Sequence, residues 1–274
     1  MAPDRRVTLK SSAQIEKMAI AGALVASVLD RLASEVKPGV TTLELDAIAE
    51  EMIRSAGGVP SFIGVPGRVA PFQHTLCVSL DDEIVHGVPG QRRIRDGQIV
   101  SVDAGAIVDG WHGDAARTFI VGEVPDHVRR LVETTERAMY AGIAAAQPGG
   151  FLADISGAIE DIATAAGYGI IRAFVGHGIG TEMHEEPQVT NYRTGSNGRR
   201  IEPGLCLAIE PMFTLANHEV RIRDDGWTVV TASGALAAHW ENTIAVTADG
   251  PCILTASAPA AVPAADTVEA LPRL

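Results

Sequence analysis

Hydrophobic and polar positions follow two different periods along this chain, and the longer period predicts helices. From Ser11 or Ser12 to Lys37-Pro38-Gly39, apolar residues recur every three or four positions, as on one face of a helix. These residues are Ile15, Met18, Ala21, Val25, Val28 and Leu32. A second helix is predicted from Thr41 to Gly57, because Thr41 and Glu44 have the spacing of a capping box. The same pattern predicts a third helix from 125 to 148 and a fourth from about 152 to 166.

The shorter period, with β-branched residues between turn residues, predicts strands. They are expected at 76–80, 84–87, 99–119, 170–175, 205–209, 228–231 and 243–246. In the segment 99–119, two such runs flank Asp109-Gly110, a dipeptide typical of hairpin turns. Residues 59–73 are rich in Pro and Gly and predict a loop.

The predicted hairpin carries two acids, Asp103 and Asp114. Because they lie at similar distances from the turn, their carboxylates should be cross-strand or diagonal neighbours on one face. Asp103 follows an apolar run that reads as a buried strand, where a lone carboxylate is costly. Two acids that face each other in such a place need a cation. The hairpin therefore suggests a metal site.

An internal repeat indicates that the chain has two similar halves, at about 12–124 and 125–254. Residues 37–57 and 147–167 share a Pro-Gly pair, a glutamate and a final Ala-Gly. The strand that ends at Asp103 also resembles the one that ends at Glu210. If the halves face each other, Asp103 and Glu210 should meet, and so should Asp114 and Glu241.

These observations predict one set of metal ligands, Asp103, Asp114, His177, Glu210 and Glu241. Four carboxylates balance the charge of two divalent cations, and oxygen-rich ligation with one imidazole suits Mn, Fe, Co or Zn. Two such ions can share a bridging hydroxide, the nucleophile of many hydrolases. His86 and His184 remain for binding substrate or stabilising an oxyanion. Taken singly, each acid also reads as an ordinary turn or strand-end residue.

Composition limits the partners. The formal net charge of −12 argues against nucleic acid or an anionic membrane surface. The apolar stretch at 19–29 is too short to span a bilayer. Cys77, Cys206 and Cys252 form no C-x-x-C motif and read as reduced thiols of a cytoplasmic protein.

We expect one catalytic domain over 1–255, with a disordered Ala- and Pro-rich tail at 256–274. The other histidines are expected to be structural or exposed: His74, His112, His127, His218 and His239.

Several short segments together resemble type I methionine aminopeptidase. They are H-G-V-P from residue 86, V-D-A-G-A-I-V-D-G-W-H-G-D from residue 102, G-H-G-I-G-T-E-M-H-E-E-P from residue 176, A-I-E-P-M from residue 208 and H-W-E-N-T from residue 239. The resemblance implies the α+β "pita-bread" fold of that family, with two halves related by a pseudo-twofold axis. It also implies removal of the initiator methionine from new chains whose second residue is small.

The resemblance also implies a role for each site residue. Asp114 and Glu241 would bridge two divalent ions, with Asp103 on one ion and His177 with Glu210 on the other. His86 and His184 would contact the substrate and the developing tetrahedral intermediate, and Glu210 would transfer protons. The partner would be the N-terminal methionine of a peptide or nascent chain, with the ribosome a further candidate. The protein is expected to be a monomer.

This chain departs from the family pattern around the methionine pocket. The loop from 62 to 77 is longer and lacks the usual tyrosines, and Met183 stands where Phe is common. An apolar slot for the thioether is still expected, from Phe62, Cys77, Met183, Met212 and Trp227. The short segment before the first helix and the short interval between His184 and Glu210 favour a bacterial form.

Two other functions remain open from the sequence. The first is a hydrolase of the same fold, such as a prolidase or Xaa-Pro aminopeptidase, although these typically carry an additional N-terminal domain. The second is a metal-free binding protein on this fold. Such relatives generally lose metal ligands, whereas all five predicted ligands are present here.

Overall fold

A computed structural model describes residues 7–257 and 260–261 of the chain. Its helices within these residues are α1 Ser12–Ala33, α2 Thr42–Ser55, α3 Asp126–Ala145 and α4 Leu152–Ala166. All four lie where the apolar periodicity predicts them. Helix α1 ends at Ala33, a few residues before the predicted Pro-Gly stop.

Capping groups at both ends define helix α2. The Thr41 hydroxyl accepts a hydrogen bond from the Glu44 backbone N–H at 3.1 Å, and the Glu44 carboxylate accepts one from the Thr41 N–H at 2.7 Å. This reciprocal pair satisfies two N–H groups that the helix leaves without partners. Beyond the other end Gly57 has a φ of +78°, which glycine adopts without strain. The capping-box spacing in the sequence therefore corresponds to a real helix start.

The strands form one large sheet and two small ones. They are β1 Val59–Pro60, β2 Leu76–Leu80, β3 Glu83–Val85, β4 Ile99–Val108, β5 Trp111–Ile120, β6 Gly169–Ile170, β7 Gly176–Gly178, β8 Glu185–Val189, β9 Cys206–Ile209, β10 Met212–Thr214, β11 Val220–Ile222, β12 Val229–Thr231, β13 Ala237–His239, β14 Glu241–Thr247, β15 Gly250–Ile253 and β16 Ala260–Ala261. The main path of the large sheet is β1-β4-β5-β14-β9-β7-β8. The small sheets are β13-β10-β6 and β11-β12-β3.

The predicted hairpin is β4 and β5, which pair over their whole length from Ile99↔Ile120 to Val108↔Trp111. The two turn residues, Asp109 and Gly110, both have positive φ, 49° and 80°, as a two-residue hairpin turn requires. Val100, Val102 and Ala104 on β4 pack in the core cluster that includes α1 and α2 residues. Because alternate residues of a strand face opposite sides, Asp103 faces away from those helices.

The two halves join between β5 and β14, where Ala116 pairs with Glu241 and Ala115 with Asn242. One core cluster lies between the first helix pair and strands β2, β4 and β5. A second lies among α3, α4 and strands of the second half, including β9 and β14. Each half thus buries a pair of helices against its own part of a continuous sheet, as the internal repeat predicts.

Several features differ from the sequence predictions. The strand predicted at 170–175 is β6, Gly169–Ile170, and the rest of that segment is irregular. Most of the predicted tail lies outside the described residues, but Ala260–Ala261 form strand β16 against Cys252 and Ile253. Helix α1 is 22 residues long, and by length and composition alone it would cross a membrane. It buries residues including Met18 and Val25 in the protein interior.

Candidate metal centre

Five neighbouring strands of the large sheet bring the predicted ligands together, one from each strand. Asp103 lies on β4, Asp114 on β5, Glu241 on β14 and His177 on β7, while Glu210 directly follows β9. Neighbouring strands lie roughly 4.8 Å apart, so side chains on one face of adjacent strands are within reach of each other. The ligands are distant in sequence and adjacent in the sheet.

The strand register explains how the carboxylates converge. Ala116 pairs with Asp103 on one side and with Glu241 on the other, so the two acids lie in one row across three strands. Asp114 pairs with Gly105, which makes it a diagonal neighbour of Asp103. The Thr243 hydroxyl accepts from the Asp114 N–H at 3.1 Å and donates to the Asp114 carbonyl at 2.8 Å. The junction between the two halves thereby fixes the backbone of this ligand.

Side-chain distances agree with shared binding of cations. One possible ligand atom from each of Asp114, His177 and Glu241 lies within 4.8 Å of the others. The His177 Nε2 is 3.5 Å from the Glu210 Oε1. The Asn191 amide donates to the Glu210 carbonyl at 3.0 Å, which holds the backbone where β9 ends. Asp114, His177 and Glu241 are buried, and Asp103 and Glu210 are partly exposed.

Burial of these groups perturbs their ionisation. Without a cation, burial raises the pKa of Asp103 to about 7 and that of Glu210 to about 8. Burial and the neighbouring acids raise the pKa values of Asp114 and Glu241 well above their usual range. Burial also lowers the pKa of His177 to about 3, which keeps its imidazole neutral at pH 7. The donor set therefore consists of a neutral imidazole and of carboxylates that repel each other. A divalent cation stabilises such a set.

Several of these atoms are buried and have no hydrogen-bond partner among the described residues. They include Asp103 Oδ1, Asp114 Oδ1 and Glu241 Oε1. A buried polar atom without a partner costs roughly 1–3 kcal/mol, and more when it is charged. Divalent cations would satisfy these oxygens together. The residues present therefore fit a metal centre.

His86 and His184 lie at the edge of the centre, outside the groups of candidate ligands. His86 follows β3 and has a φ of +59°, a conformation that residues other than glycine rarely adopt. Its ring packs edge-on against Phe174, with centroids 5.2 Å apart, and burial lowers its pKa to about 4. The His184 ring lies against that of His177, with centroids 4.5 Å apart. Both histidines line the same cavity as the four acids and His177.

The cavity has a volume of about 310 Å³ and one apolar wall. The predicted pocket residues Phe62, Cys77, Met183 and Trp227 all line it. The prediction for Met212 differs from the structure, because Met212 is fully buried in a separate core cluster and does not line the cavity. Glu210, two residues before Met212, faces the metal centre. The backbone of Met212 pairs with that of His239 in a different sheet.

Several residues that line the cavity were not assigned to the site from sequence, and Phe72 and His239 are two of them. Phe72 comes from the atypical loop and packs edge-on against Trp227, with ring centroids 5.0 Å apart. His239 was expected to be structural or exposed, but it lines the cavity beside Glu210 and Glu241. One signal for His239 was available, because it stands two residues before Glu241 and such residues share a face in extended chain. An aromatic residue in a loop rich in Pro and Gly carried no comparable signal.

The site is a buried cluster of carboxylates and a neutral imidazole beside an apolar cavity, which is the arrangement expected of a metal-dependent hydrolase. Comparison with known protein families agrees, because the sequence profile of metallopeptidase family M24 matches residues 16–248. The chain belongs to this family. Members of a metallopeptidase family use divalent metal, and the candidate ligands lie within the matched segment.

Individual relatives are similar over almost the whole chain. The "Methionine aminopeptidase" of Clostridium perfringens is 44% identical over 249 residues, which is 91% of this chain and 98% of that protein. The "Methionine aminopeptidase 1" of Mycobacterium tuberculosis is 44% identical over 258 residues, or 92% and 96% of the two chains. The resemblance seen in the sequence motifs is thereby confirmed.

Solved structures confirm the predicted fold. The crystal structure of methionine aminopeptidase from Thermotoga maritima superimposes with a TM-score of 0.88 at 38% identity, and covers 92% of this chain and all of that chain. Prolidase from Pyrococcus furiosus has a TM-score of 0.72 at 22% identity, covering 90% of this chain and 65% of that one. That second similarity concerns the fold alone. The chain has the α+β pita-bread fold.

Proposed function

We propose that this protein is a metal-dependent aminopeptidase that removes the N-terminal methionine from peptides and nascent proteins with a small second residue. The observation that carries this proposal is the convergence of five candidate ligands beside an apolar cavity. Relatives named methionine aminopeptidase, similar over more than nine-tenths of the chain, support the same activity.

The centre is proposed to hold two divalent ions, drawn from Co, Mn, Fe and Zn. Asp114 and Glu241 are the proposed bridging ligands, with Asp103 on one ion and His177 with Glu210 on the other. Their four negative charges balance those of two dications. When bound there, divalent ions would supply polarisation of a scissile carbonyl and a water whose pKa is lowered to near neutrality.

Glu210 is proposed as the residue that moves protons. Its Oε1 faces His177 at 3.5 Å, while its Oε2 faces His239 at 3.7 Å. Both contacts place the Glu210 carboxylate at the centre of the site, between two neutral imidazoles. A group of this kind can take a proton from the attacking water and deliver it to the departing amine.

His86 and His184 are proposed to bind the peptide at the reacting bond. The pKa of His86 lies at about 4, so its ring is neutral at pH 7 and offers one N–H donor. A neutral donor can stabilise a developing oxyanion without placing another positive charge beside the dications. The packing of His86 against Phe174 fixes the plane of the ring.

The apolar wall is proposed as the pocket for the methionine side chain. Phe62, Phe72 and Cys77 form a buried cluster, against which Met183 and Trp227 pack. Aromatic faces and a thiol suit an unbranched thioether, because sulfur makes favourable contacts with ring edges. The Trp227 indole N–H donates to the Ala70 carbonyl at 3.0 Å, which connects the pocket to the atypical loop.

The remaining proposals concern cellular context. We propose a cytoplasmic monomer that acts on chains emerging from the ribosome. The free cysteines Cys77, Cys206 and Cys252 support a reducing compartment. The strongly negative net charge speaks against direct contact with nucleic acid.

Release of methionine from Met-Ala-Ser by protein loaded with Mn²⁺ or Co²⁺ tests the proposed activity. A parallel assay with Xaa-Pro peptides distinguishes it from that of a prolidase or Xaa-Pro aminopeptidase. We expect turnover of Met-Ala-Ser and little of Xaa-Pro. Metal analysis of the purified protein distinguishes it from a metal-free binding protein. Absence of turnover with every divalent ion would refute the proposal.

A further inference from the structure

His239 is a buried imidazole beside the metal centre with no role in the ligand set described above. It ends strand β13 and is 2% exposed. The Thr118 hydroxyl donates to the His239 carbonyl at 2.7 Å and accepts from its N–H at 3.0 Å. Because Thr118 lies on β5, the strand that carries Asp114, the His239 backbone is fixed relative to the ligands.

The ring nitrogen of His239 faces two carboxylates. Its Nε2 is 3.7 Å from Glu210 Oε2 and 3.9 Å from Glu241 Oε2. This nitrogen is buried and has no hydrogen-bond partner among the described residues. Leaving such a group without a partner is costly, so the position requires an explanation.

These distances fit ligands of a common cation better than they fit hydrogen bonds. An N–H···O bond measures roughly 2.7–3.2 Å, which is shorter than either separation. Two donors that each lie roughly 2.0–2.2 Å from one cation are separated by about 3–4 Å, depending on the angle between them. The separation between His177 Nε2 and Glu210 Oε1, 3.5 Å, falls in the same range.

The grouping of ligand atoms supports the same view. Asp114, His177 and Glu241 form one group within 4.8 Å, and Glu210, His239 and Glu241 form a second. Glu241 belongs to both groups, as a bridging carboxylate would. Each group has one imidazole of its own. Because Glu210 Oε1 faces His177 and Glu210 Oε2 faces His239, the two imidazoles lie beside the same carboxylate.

We propose that His239 is a sixth protein ligand of the metal centre, binding through Nε2 next to Glu210 and Glu241. The inference rests on the proposed function only in requiring that the centre binds divalent metal. It changes the donor set from one imidazole to two. A neutral imidazole adds a strong ligand without adding charge, so the balance between four carboxylates and two dications is kept.

Pulsed electron paramagnetic resonance of bound Mn²⁺ tests this directly, because it counts the coordinated imidazole nitrogens. Wild-type protein labelled with ¹⁵N-histidine and loaded with Mn²⁺ should show two coordinated imidazoles. His239→Gln and His177→Gln should each show one. The matched control is His127→Gln, which removes an exposed imidazole from α3 and should leave two.

Mn²⁺ affinity, measured by equilibrium dialysis, supplies a second readout. We expect His239→Gln to weaken binding by about tenfold or more. One imidazole in the wild-type spectrum overturns the proposal even if the variant binds Mn²⁺ weakly, because His239 would then act through a carboxylate. The wild-type count also decides the matter if His239→Gln does not fold. None of these measurements uses substrate, so a failure to release methionine would overturn the activity and leave this test intact.

Discussion

Removing the metal should make the stability of this protein fall as the pH rises above neutrality. In the chelated protein, burial raises the pKa of Glu210 to about 8 and raises those of Asp114 and Glu241 well above their usual range. Over much of the range from pH 7 to 8.5, Glu210 therefore holds a proton in the folded state that the unfolded chain has lost. A group whose pKa is raised on folding stabilises the protein at low pH, and that contribution disappears as the pH passes the folded pKa.

The magnitude follows from the pKa of Glu210. Each proton held only by the folded state costs about 1.4 kcal/mol of stability per pH unit of increase. Averaged over its titration near pH 8, Glu210 alone should account for a loss of roughly 1 kcal/mol between pH 7 and 8.5. The pKa values of Asp114 and Glu241 are raised as well, which makes stability change with pH in the same direction.

The pH window excludes an opposing effect from the histidines. Burial lowers the pKa of His86 to about 4 and that of His177 to about 3, which makes stability rise with pH as the unfolded histidines lose their protons. Unfolded histidine titrates near pH 6.5, so above pH 7 both states are largely neutral. Only below pH 7 should the effect of the histidines on stability compete with that of the carboxylates.

Urea unfolding between pH 7 and 8.5, with chelator or with Mn²⁺, measures this effect. We expect the free energy of unfolding to fall in chelator, and the stabilisation by Mn²⁺ to increase with pH. Chelated Glu210→Gln should lose less stability than wild type over the same interval. Glu51→Gln, a change at an exposed position on α2, is the control. A chelated wild-type protein equally stable at both pH values would refute the reasoning.

Three further predictions concern activity. Asp103→Asn and Glu241→Gln should reduce turnover to background while circular dichroism shows a retained fold; near-normal activity after metal stripping and reconstitution would contradict the ligand assignment. His184→Ala should lower turnover about 100-fold, the usual contribution of one group that stabilises the developing oxyanion, with metal content unchanged; equal loss of metal would make His184 a ligand. Phe72→Ala removes a ring contact with Trp227 worth about 0.5–1.5 kcal/mol. KM for Met-Ala-Ser should therefore rise several-fold, with less effect on kcat. An unchanged KM would mean that the methionine side chain binds elsewhere.

The sequence predicted the helices and four of the five ligand strands because these depend on local patterns, whereas the short strand β7, which carries His177, was not predicted. The diagonal relation of Asp103 and Asp114 follows from the two-residue turn at Asp109-Gly110, which sets the register of the whole hairpin. The convergence of the halves came from the internal repeat, which relates Asp103 to Glu210 without any knowledge of the sheet order. These features therefore required no information on tertiary packing.

The pocket was less predictable because its residues come from segments without a repeating pattern. Phe72 reaches the cavity through a loop whose path depends on contacts such as that between the Trp227 indole and the Ala70 carbonyl. Met212 is apolar and follows a ligand strand, yet it pairs with His239 in a different sheet and packs in its core. An apolar residue near a site in sequence can thus belong to the core or to the pocket, and only tertiary packing decides between them.

The architecture also explains how one small volume tolerates so many acids. Side chains on neighbouring strands, about 4.8 Å apart, lie closer together than residues i and i+2 of one strand, so the sheet brings the carboxylates near enough to share cations, although like charges in such positions repel each other. Here each of five strands contributes one candidate ligand, and the apolar residues on the opposite face of β4 pack with helices α1 and α2. The helix pairs thus supply the burial that stabilises each half, while the charged face is stabilised only when cations bind. Folding and metal binding are therefore expected to depend on opposite faces of the same sheet, so that a ligand substitution removes activity at little cost to the fold.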